Sequence, residues 1–282
     1  MTIDSADPGG VGPATGPDAA PTPTHPGPGA RVSRRTVLSL GAGAIGGLAV
    51  GRATAWLPLS FVWPFGSGAT FDDDGAPRTG LPPIPANAEL DAGPSTARTI
   101  AMRRSIRAFD PSRSITPDEL SRLLFLTAGI TDPRGLRAQP SAGALYPIEL
   151  YAMVLRVDDI APGIYRYDPG AHQLVLRRAG DFRSAFGASV VFQGFPADGV
   201  VALVMTSITE RLVARYGDRS ERYALLEAGH MSQNAHLAAT AMGLGVVGIG
   251  AYNDGALGQL LGVSAEHEAP VFLVAVGHPP PA

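Results

Sequence analysis

Apolar residues are grouped along the chain in two patterns that predict different elements. Short runs that are mostly apolar, or that alternate with polar residues, are typical of strands. Turn residues between two such runs indicate a hairpin. The predicted strands are Ile148–Val157, Val200–Thr206, Val246–Gly250 and Pro270–Val276, with a hairpin in which Asp168-Pro169-Gly170 joins Ile164–Tyr167 to Gln173–Leu176.

The second pattern is helical. Thr116 is a good N-cap, and Glu119 can close a capping box with it, so a helix is predicted from this point to Ala128. The longest helical pattern spans Glu221–Met242 and ends at Gly243. Because strands and helices mix without a regular βαβ order, the pattern predicts an α+β fold rather than a doubly wound α/β fold.

Residues 31–65 have the pattern of an export signal. Arg34 and Arg35 precede an apolar run, 36–51, that is shorter than the roughly 20 residues of a membrane span. A small-x-small cleavage site follows at Ala53-Thr54-Ala55. We therefore expect export by the twin-arginine route, to an extracytoplasmic or outward-facing membrane-anchored location. The alternatives are an ordinary Sec signal and an uncleaved anchor that continues to the end of this segment.

The segments on either side of the signal are rich in proline and glycine. Residues 1–30 contain 13 Pro or Gly and are predicted to be a disordered tail. Residues 66–95 contain 10 and are predicted to be a solvated linker. Residues 96–282 remain as one folded domain, which is a common size for a single core.

Composition narrows the possible chemistry. The net charge of −3 does not indicate the strongly basic surface that is expected of a nucleic-acid-binding protein. All 22 basic residues are arginine, so lysine Schiff bases and P-loop lysines are excluded. The absence of cysteine excludes disulfides, zinc-thiolate sites, iron–sulfur clusters and thiol nucleophiles.

Two motifs match known sites without the context that those sites require. Residues 41–46 fit the G-x-G-x-x-G dinucleotide fingerprint, but they follow the twin arginines, and the first acidic residue after the motif is Asp72, 26 positions beyond Gly46. Glu227 and His230 have the spacing of a di-iron half-site, but no second copy exists in the chain. We interpret this pair as structural, and we predict no metal site.

The densest cluster of cations is Arg103-Arg104-Ser105-Ile106-Arg107, and the nearest acidic residue is Asp110. Arginine suits bidentate phosphate recognition, and a neighbouring hydroxyl adds a donor. The cluster therefore indicates an anion site, with a solvated helix end as the alternative.

Two segments of small residues could bring backbone groups close to a flat ligand. Residues 138–147 form a loop that leads into a predicted strand, and Gly248-Ile249-Gly250 ends another strand. Each segment alone is weak evidence, because glycine loops are common.

Taken together and in this order, these motifs resemble the nitroreductase family, and more closely its SagB-type dehydrogenase branch, which includes azoline oxidases. The resemblance extends over residues 99–277. It rests on the arginine cluster, on residues 140–147, on residues 216–219 running into residues 223–230, on Gly248-Ile249-Gly250 and on Gly277-His278-Pro279.

The resemblance implies a central mixed sheet flanked by helices, and a homodimer with FMN at its interface. It implies an FMN-dependent oxidoreductase that transfers hydride through the flavin on a small-molecule or peptide substrate. The residues implied to bind FMN are Arg103, Arg104, Ser105 and Arg107 at the phosphate and ribityl chain, Pro140, Ser141, Ala142 and Gly143 along the flavin, and Ile249 and Gly250 near its N5.

This chain departs from the family pattern in two places. After the last predicted strand it has Pro279-Pro280-Pro281 and Ala282, without the basic residues that often contact the phosphate there in the family. Arg215 and Tyr216 stand where the azoline oxidases have a catalytic Lys-Tyr pair. A guanidinium cannot act as a general base, so Arg215 would orient or pair with an anion while Tyr216 relays a proton. The alternatives are a non-catalytic flavin- or peptide-binding scaffold and a membrane-tethered partner protein.

Overall fold

The computed structural model describes residues 73–84, 93–191 and 194–281. The predicted tail (1–30) and the predicted export signal or anchor (31–65) lie outside these residues. Within the described ranges, no helix has the length and apolar character needed to cross a bilayer.

Seven strands form one sheet in the order β1-β4-β3-β2-β5-β7-β6. They are β1 (Arg78–Gly80), β2 (Ile148–Val154), β3 (Gly163–Asp168), β4 (Gln173–Ala179), β5 (Val201–Ser207), β6 (Gly245–Ile249) and β7 (Ala269–Gly277). The hairpin predicted around Asp168-Pro169-Gly170 is present as β3 and β4, in which Tyr167 lies opposite Leu174. Every pair of neighbouring strands is antiparallel.

The predicted mixed sheet is therefore antiparallel in its main ladders. In the described part of the chain, parallel pairing is confined to two isolated bridges, Ser105 to Val246 and Ile115 to Val157. The first of these bridges places the arginine cluster beside β6. The predicted α+β class is confirmed.

In the described ranges, six α-helices flank the sheet. They are α1 (Thr96–Met102), α2 (Pro117–Ala128), α3 (Arg183–Ser189), α4 (Glu210–Tyr216), α5 (Ser220–Ala241) and α6 (Asp254–Leu261). The capping box predicted at the start of α2 is present, with the Thr116 side chain accepting from the Glu119 N–H and the Glu119 side chain accepting from the Thr116 N–H. Local sequence therefore determines where this helix begins.

The sheet is covered on both faces, so its central strands are buried on both sides. All seven residues of β2 are buried. Leu150 packs in the same cluster as residues of α2 and α5, such as Leu124. Its neighbour Tyr151 points to the other face, in a cluster with Phe186 of α3 and Leu257 of α6. This explains why the buried strands read as nearly continuous apolar runs.

The prediction of a solvated linker over 66–95 is wrong for part of its range. β1 pairs with β4, with Arg78 opposite Val175. Asp73 is buried and forms ion pairs with Arg166 and Arg177. The proline and glycine content of this range indicated a linker. The short strand and the buried acidic residue could not be predicted, because their partners lie far along the chain.

Candidate active site

The loop that precedes β2 has an unusual backbone. Gly143, Ala144 and Tyr146 have φ values of +63°, +55° and +46°. Left-handed backbone is unfavourable for residues with a Cβ atom, so the surrounding contacts must hold this loop. One such contact is internal, because the Tyr146 N–H donates to Oγ of Ser141 at 2.9 Å. The loop predicted to line a flavin is therefore a preformed structure.

The structure brings Arg215 and Tyr216 against this loop. A Cβ atom at Gly143 would lie 2.8 Å from Oη of Tyr216 and 2.9 Å from Nη1 of Arg215. Both distances are shorter than a real Cβ contact allows, so only glycine lets these two side chains approach so closely. The pair predicted as catalytic and the loop predicted to line the cofactor thus form one site, although 72 positions separate Gly143 from Arg215.

A buried arginine attaches α4 to the same loop. Nη1 of Arg211 donates to the Tyr146 carbonyl oxygen and to Oε1 of Glu149, both at 2.6 Å. Glu149 also pairs with Arg166 at 3.6 Å, and Arg166 pairs with Asp73. Charge-assisted hydrogen bonds of this kind hold geometry well, because each buried charge is matched. This network could not be predicted from the sequence, since no local pattern connects its members.

Glu227 lies beneath the loop on α5. It is 1% exposed, and the Gln139 side-chain amide donates to its Oε1 at 3.4 Å. Burial raises the pKa of Glu227 to about 7, although the nearby Ser141 hydroxyl, the Gln139 amide and the charges of Arg137 and Arg211 all lower it. The sequence motif pairs Glu227 with His230, but in the structure His230 is exposed, whereas Glu227 is buried and faces the loop. The interpretation as a structural pair therefore did not predict a buried carboxyl at this loop.

A pocket of about 260 Å³ separates the loop from α5. Its lining residues are Pro140, Ser141, Ala142, Tyr223, Leu226, Glu227 and His230. Tyr223 packs edge-to-face against Tyr216, with ring centroids 4.9 Å apart. The pocket therefore adjoins the side chains of the predicted catalytic pair.

The arginine cluster lies at a different part of the domain, beside β6. The Ile106 N–H donates to the Val246 carbonyl oxygen at 2.9 Å. Nη1 of Arg104 donates to the carbonyl oxygens of Ala101 and Arg103 at 2.8 Å, so this side chain partly satisfies the end of α1. Arg107 is exposed.

No carboxylate among the described residues pairs with the cluster. The nearest acidic residue, Asp110, accepts hydrogen bonds from the backbone and side chain of Ser112 at 2.9 and 2.6 Å. Within the described ranges, no ion pair includes Arg103, Arg104 or Arg107. Three arginines without an acidic partner are consistent with an anion site.

The strand end predicted to face the flavin N5 belongs to β6, the strand that the cluster contacts at Val246. Ile249 is buried at the end of β6, and Gly250 after it is exposed. A Cβ atom at Gly248 would lie 2.8 Å from the Phe272 ring, and one at Gly245 would lie 3.0 Å from Ile106. The glycines of β6 thus allow close packing on both sides, which holds the arginine segment against the strand.

The structure therefore assembles the predicted residues into two groups rather than one. The arginine segment, Ile249 and Gly250 form the first group, and the loop with Arg215 and Tyr216 forms the second. Helix α5 connects the two groups. Glu227 on this helix lies under the loop. His236, further along the helix, is buried, and its burial and the nearby charge of Arg103 both lower its pKa. At 1.5 Å per residue, Glu227 and His236 are about 14 Å apart along the helix.

In the described part of the chain, no group of three or more His, Asp or Glu side chains is arranged to hold a metal ion.

Comparison with known proteins agrees with this architecture. The family model described as the nitroreductase family matches residues 100–278. A protein of Methanocaldococcus jannaschii assigned to the nitroreductases, MJ1384, is 38% identical over 175 residues, which is 62% of this chain and 86% of that protein. The microcin B17-processing protein McbC of Escherichia coli is 29% identical over 163 residues, which is 55% of this chain and 59% of McbC.

Solved structures show the same fold. A nitroreductase-like protein from Anabaena variabilis superposes with a TM-score of 0.64 at 29% identity, covering 74% of this chain and 43% of that one. One from Ralstonia eutropha gives 0.61 at 27% identity, covering 73% and 90%. A chain of the Escherichia coli microcin synthetase McbBCD complex, with truncated pro-MccB17 bound, gives 0.57 at 23% identity, covering 80% and 84%. With its fold and its family match in agreement, this chain belongs to the nitroreductase family.

Proposed function

We propose that this protein is an FMN-dependent oxidoreductase of the SagB-type branch, which transfers hydride through the flavin to or from a small organic or peptide-derived substrate. The observation that carries the proposal is the contact of Arg215 and Tyr216 with Gly143. The name of McbC, a microcin B17-processing protein, supports a peptide-derived substrate.

The residues of both groups fit FMN. Arg103, Ser105 and Arg107 would hold the phosphate, because the cluster is accessible and no described carboxylate forms an ion pair with it. Arg104 would contribute after its side chain leaves the end of α1, where it donates to two carbonyl oxygens. Residues 140–143 would line the flavin, and the backbone of Ile249 and Gly250 would approach its N5.

Bound FMN supplies the two-electron hydride exchange of such a reaction. The protein's own part is to move protons and orient the reactant. Oη of Tyr216 is a neutral donor and acceptor at the loop, suited to passing one proton to or from the substrate. The Arg215 guanidinium, 5.5 Å from the centroid of the Tyr216 ring, stays cationic and would orient an electron-rich group.

The proposal includes a homodimer and an exported protein. Several large apolar side chains of α1, α4 and α5 are about half exposed, as expected of a surface that a second copy covers. They are Ile100, Met102, Val213, Leu225 and Leu226. Sedimentation of the purified protein measures the dimer, and the mass of its mature N-terminus shows whether segment 31–65 is removed or retained as an anchor.

The visible spectrum of the purified protein tests the flavin. We expect bound FMN in the wild type and at least a tenfold loss of FMN affinity when Arg103→Ala and Arg107→Ala are combined. Arg113→Ala is the matched control, because Arg113 is exposed on the same connection. Protein that is colourless and takes up no added FMN contradicts the proposal.

Turnover separates an enzyme from a scaffold. We expect NADH, NADPH or dithionite to bleach the bound flavin, and an electron acceptor to restore its colour through repeated cycles. Flavin that binds but is not reoxidised by any acceptor would favour the non-catalytic scaffold instead.

A further inference from the structure

The proposed reaction assigns no role to the buried carboxyl of Glu227. Glu227 is 1% exposed, and its Oε2 has no hydrogen-bond partner among the described residues. A buried carboxylate oxygen without a donor is unfavourable, so it is uncommon in a native protein. Because Glu227 also lines a cavity, a ligand bound there can supply the missing donor.

The cavity is the 260 Å³ pocket between the loop and α5. Its walls are mainly apolar, formed by residues such as Pro140, Ala142 and Leu226, and Glu227 is the acidic residue among them. Small-molecule sites commonly combine an apolar lining with one or two polar groups that set orientation. The pocket also reaches Tyr223, which packs on Tyr216, so a molecule reacting at Tyr216 could extend into it.

Positive charges near the pocket have other partners. Arg211 donates to Glu149 and to the Tyr146 carbonyl oxygen. Arg137 stacks on the Tyr146 ring, 4.5 Å from its centroid. Burial outweighs both charges and raises the pKa of Glu227 to about 7. An ionised Glu227 is therefore incompletely neutralised by the protein itself, which favours a cation from outside.

We propose that this pocket binds a basic nitrogen of the substrate, an amine or amidine, which donates its N–H to Oε2 of Glu227. This inference rests on the proposed function only in identifying the bound molecule as the substrate. In this role, Glu227 selects substrates that carry a cationic nitrogen next to the reacting bond.

Benzamidine is a suitable probe, because it is flat and cationic throughout the pH range of interest, and benzamide is its neutral counterpart. Calorimetric titration of the full-length protein at pH 8 should show that benzamidine binds at least tenfold more tightly than benzamide. Glu227→Gln should abolish that preference, because the amide keeps the volume and removes the charge. Glu221→Gln, an exposed position on the same helix, should leave it unchanged.

Proton release provides a second readout. At pH 6.5 most Glu227 side chains are protonated, so binding of the cation must expel a proton, whereas at pH 8.5 little release is expected. Titrations in two buffers of different ionisation enthalpy measure the number of protons released. Glu227→Asp keeps a titratable carboxyl and should retain part of the release, which covers the case in which Glu227→Gln does not fold.

Benzamidine binding that is absent, equal to that of benzamide or insensitive to Glu227→Gln would overturn the inference. FMN uptake by the same samples keeps the two proposals separable. Protein that binds FMN but shows no preference for benzamidine refutes only the subsite. Protein that binds benzamidine through Glu227 but takes up no FMN refutes the proposed oxidoreductase and leaves the cation site established.

Discussion

Gly143→Ala tests whether the contact between the loop and the pair Arg215 and Tyr216 matters for activity. The new methyl group would lie 2.8 Å from Oη of Tyr216 and 2.9 Å from Nη1 of Arg215, so both side-chain ends must move. These ends are flexible, and the cost to stability is therefore mainly that of a left-handed alanine, about 1–2 kcal/mol. The functional cost should be larger, because a displacement of about 1 Å in a catalytic group can reduce the rate by a factor of about 100.

Gly135→Ala is the matched control. Gly135 also has a positive φ, +84°, but a Cβ atom there would meet no atom within 4 Å. Both variants should lose similar stability, with Tm lower by about 2–4 °C for each kcal/mol. Only Gly143→Ala should slow the reoxidation of reduced flavin by a nitroaromatic acceptor, a reaction that consumes protons.

The assay combines thermal unfolding, flavin absorbance and stopped-flow reoxidation of the same samples. We expect Gly143→Ala to retain bound FMN while its reoxidation rate falls at least tenfold below that of Gly135→Ala. Equal rates in the two variants would show that the position of Arg215 and Tyr216 is not important for the reaction, and the reasoning from this contact would fail.

Two further predictions concern the buried charges around the site. Glu149→Gln should reduce the free energy of unfolding by about 3 kcal/mol in urea titration, because Arg211 and Arg166 lose a carboxylate partner inside the protein; a loss no greater than that of exposed Glu210→Gln would contradict this. Without ligand, stability should fall by about 3 kcal/mol as the pH rises from 5 to 8, because the folded protein holds a proton on Glu227 up to about pH 7 whereas the unfolded chain releases it near its ordinary pKa of 4.5. Glu227→Gln should flatten this part of the pH profile, and an unchanged slope would refute the assignment.

Elements made by local interactions could be predicted well. The start of α2 depends on Thr116 and Glu119, three positions apart, and the hairpin of β3 and β4 depends on a turn of four residues, 169–172. The continuous apolar run in β5 indicated a strand buried on both faces, and all of its residues are buried. Hydrogen bonding and side-chain periodicity within a few residues contain this information.

The motifs of the candidate site could be recognised, but their arrangement could not be derived. The arginine cluster and the loop at 140–143 were both identified as ligand-binding segments, yet nothing in their spacing shows that they lie in separate groups along α5. The contact of Gly143 with Arg215 and Tyr216 depends on how α4 packs, which a pattern of residue types does not specify.

The amino-acid sequence by itself determined the α+β class, the positions of most helices and strands, and the family, because these depend on local propensity and on ordered motifs. Only the tertiary structure decided that Asp73 pairs with Arg166, 93 positions away, and that Glu227 is buried against Gln139, 88 positions away. Burial and charge pairing are properties of the folded chain, since the solvation of a carboxylate depends on every segment that packs around it. The same side chain in an unfolded peptide would be an ordinary ionised glutamate.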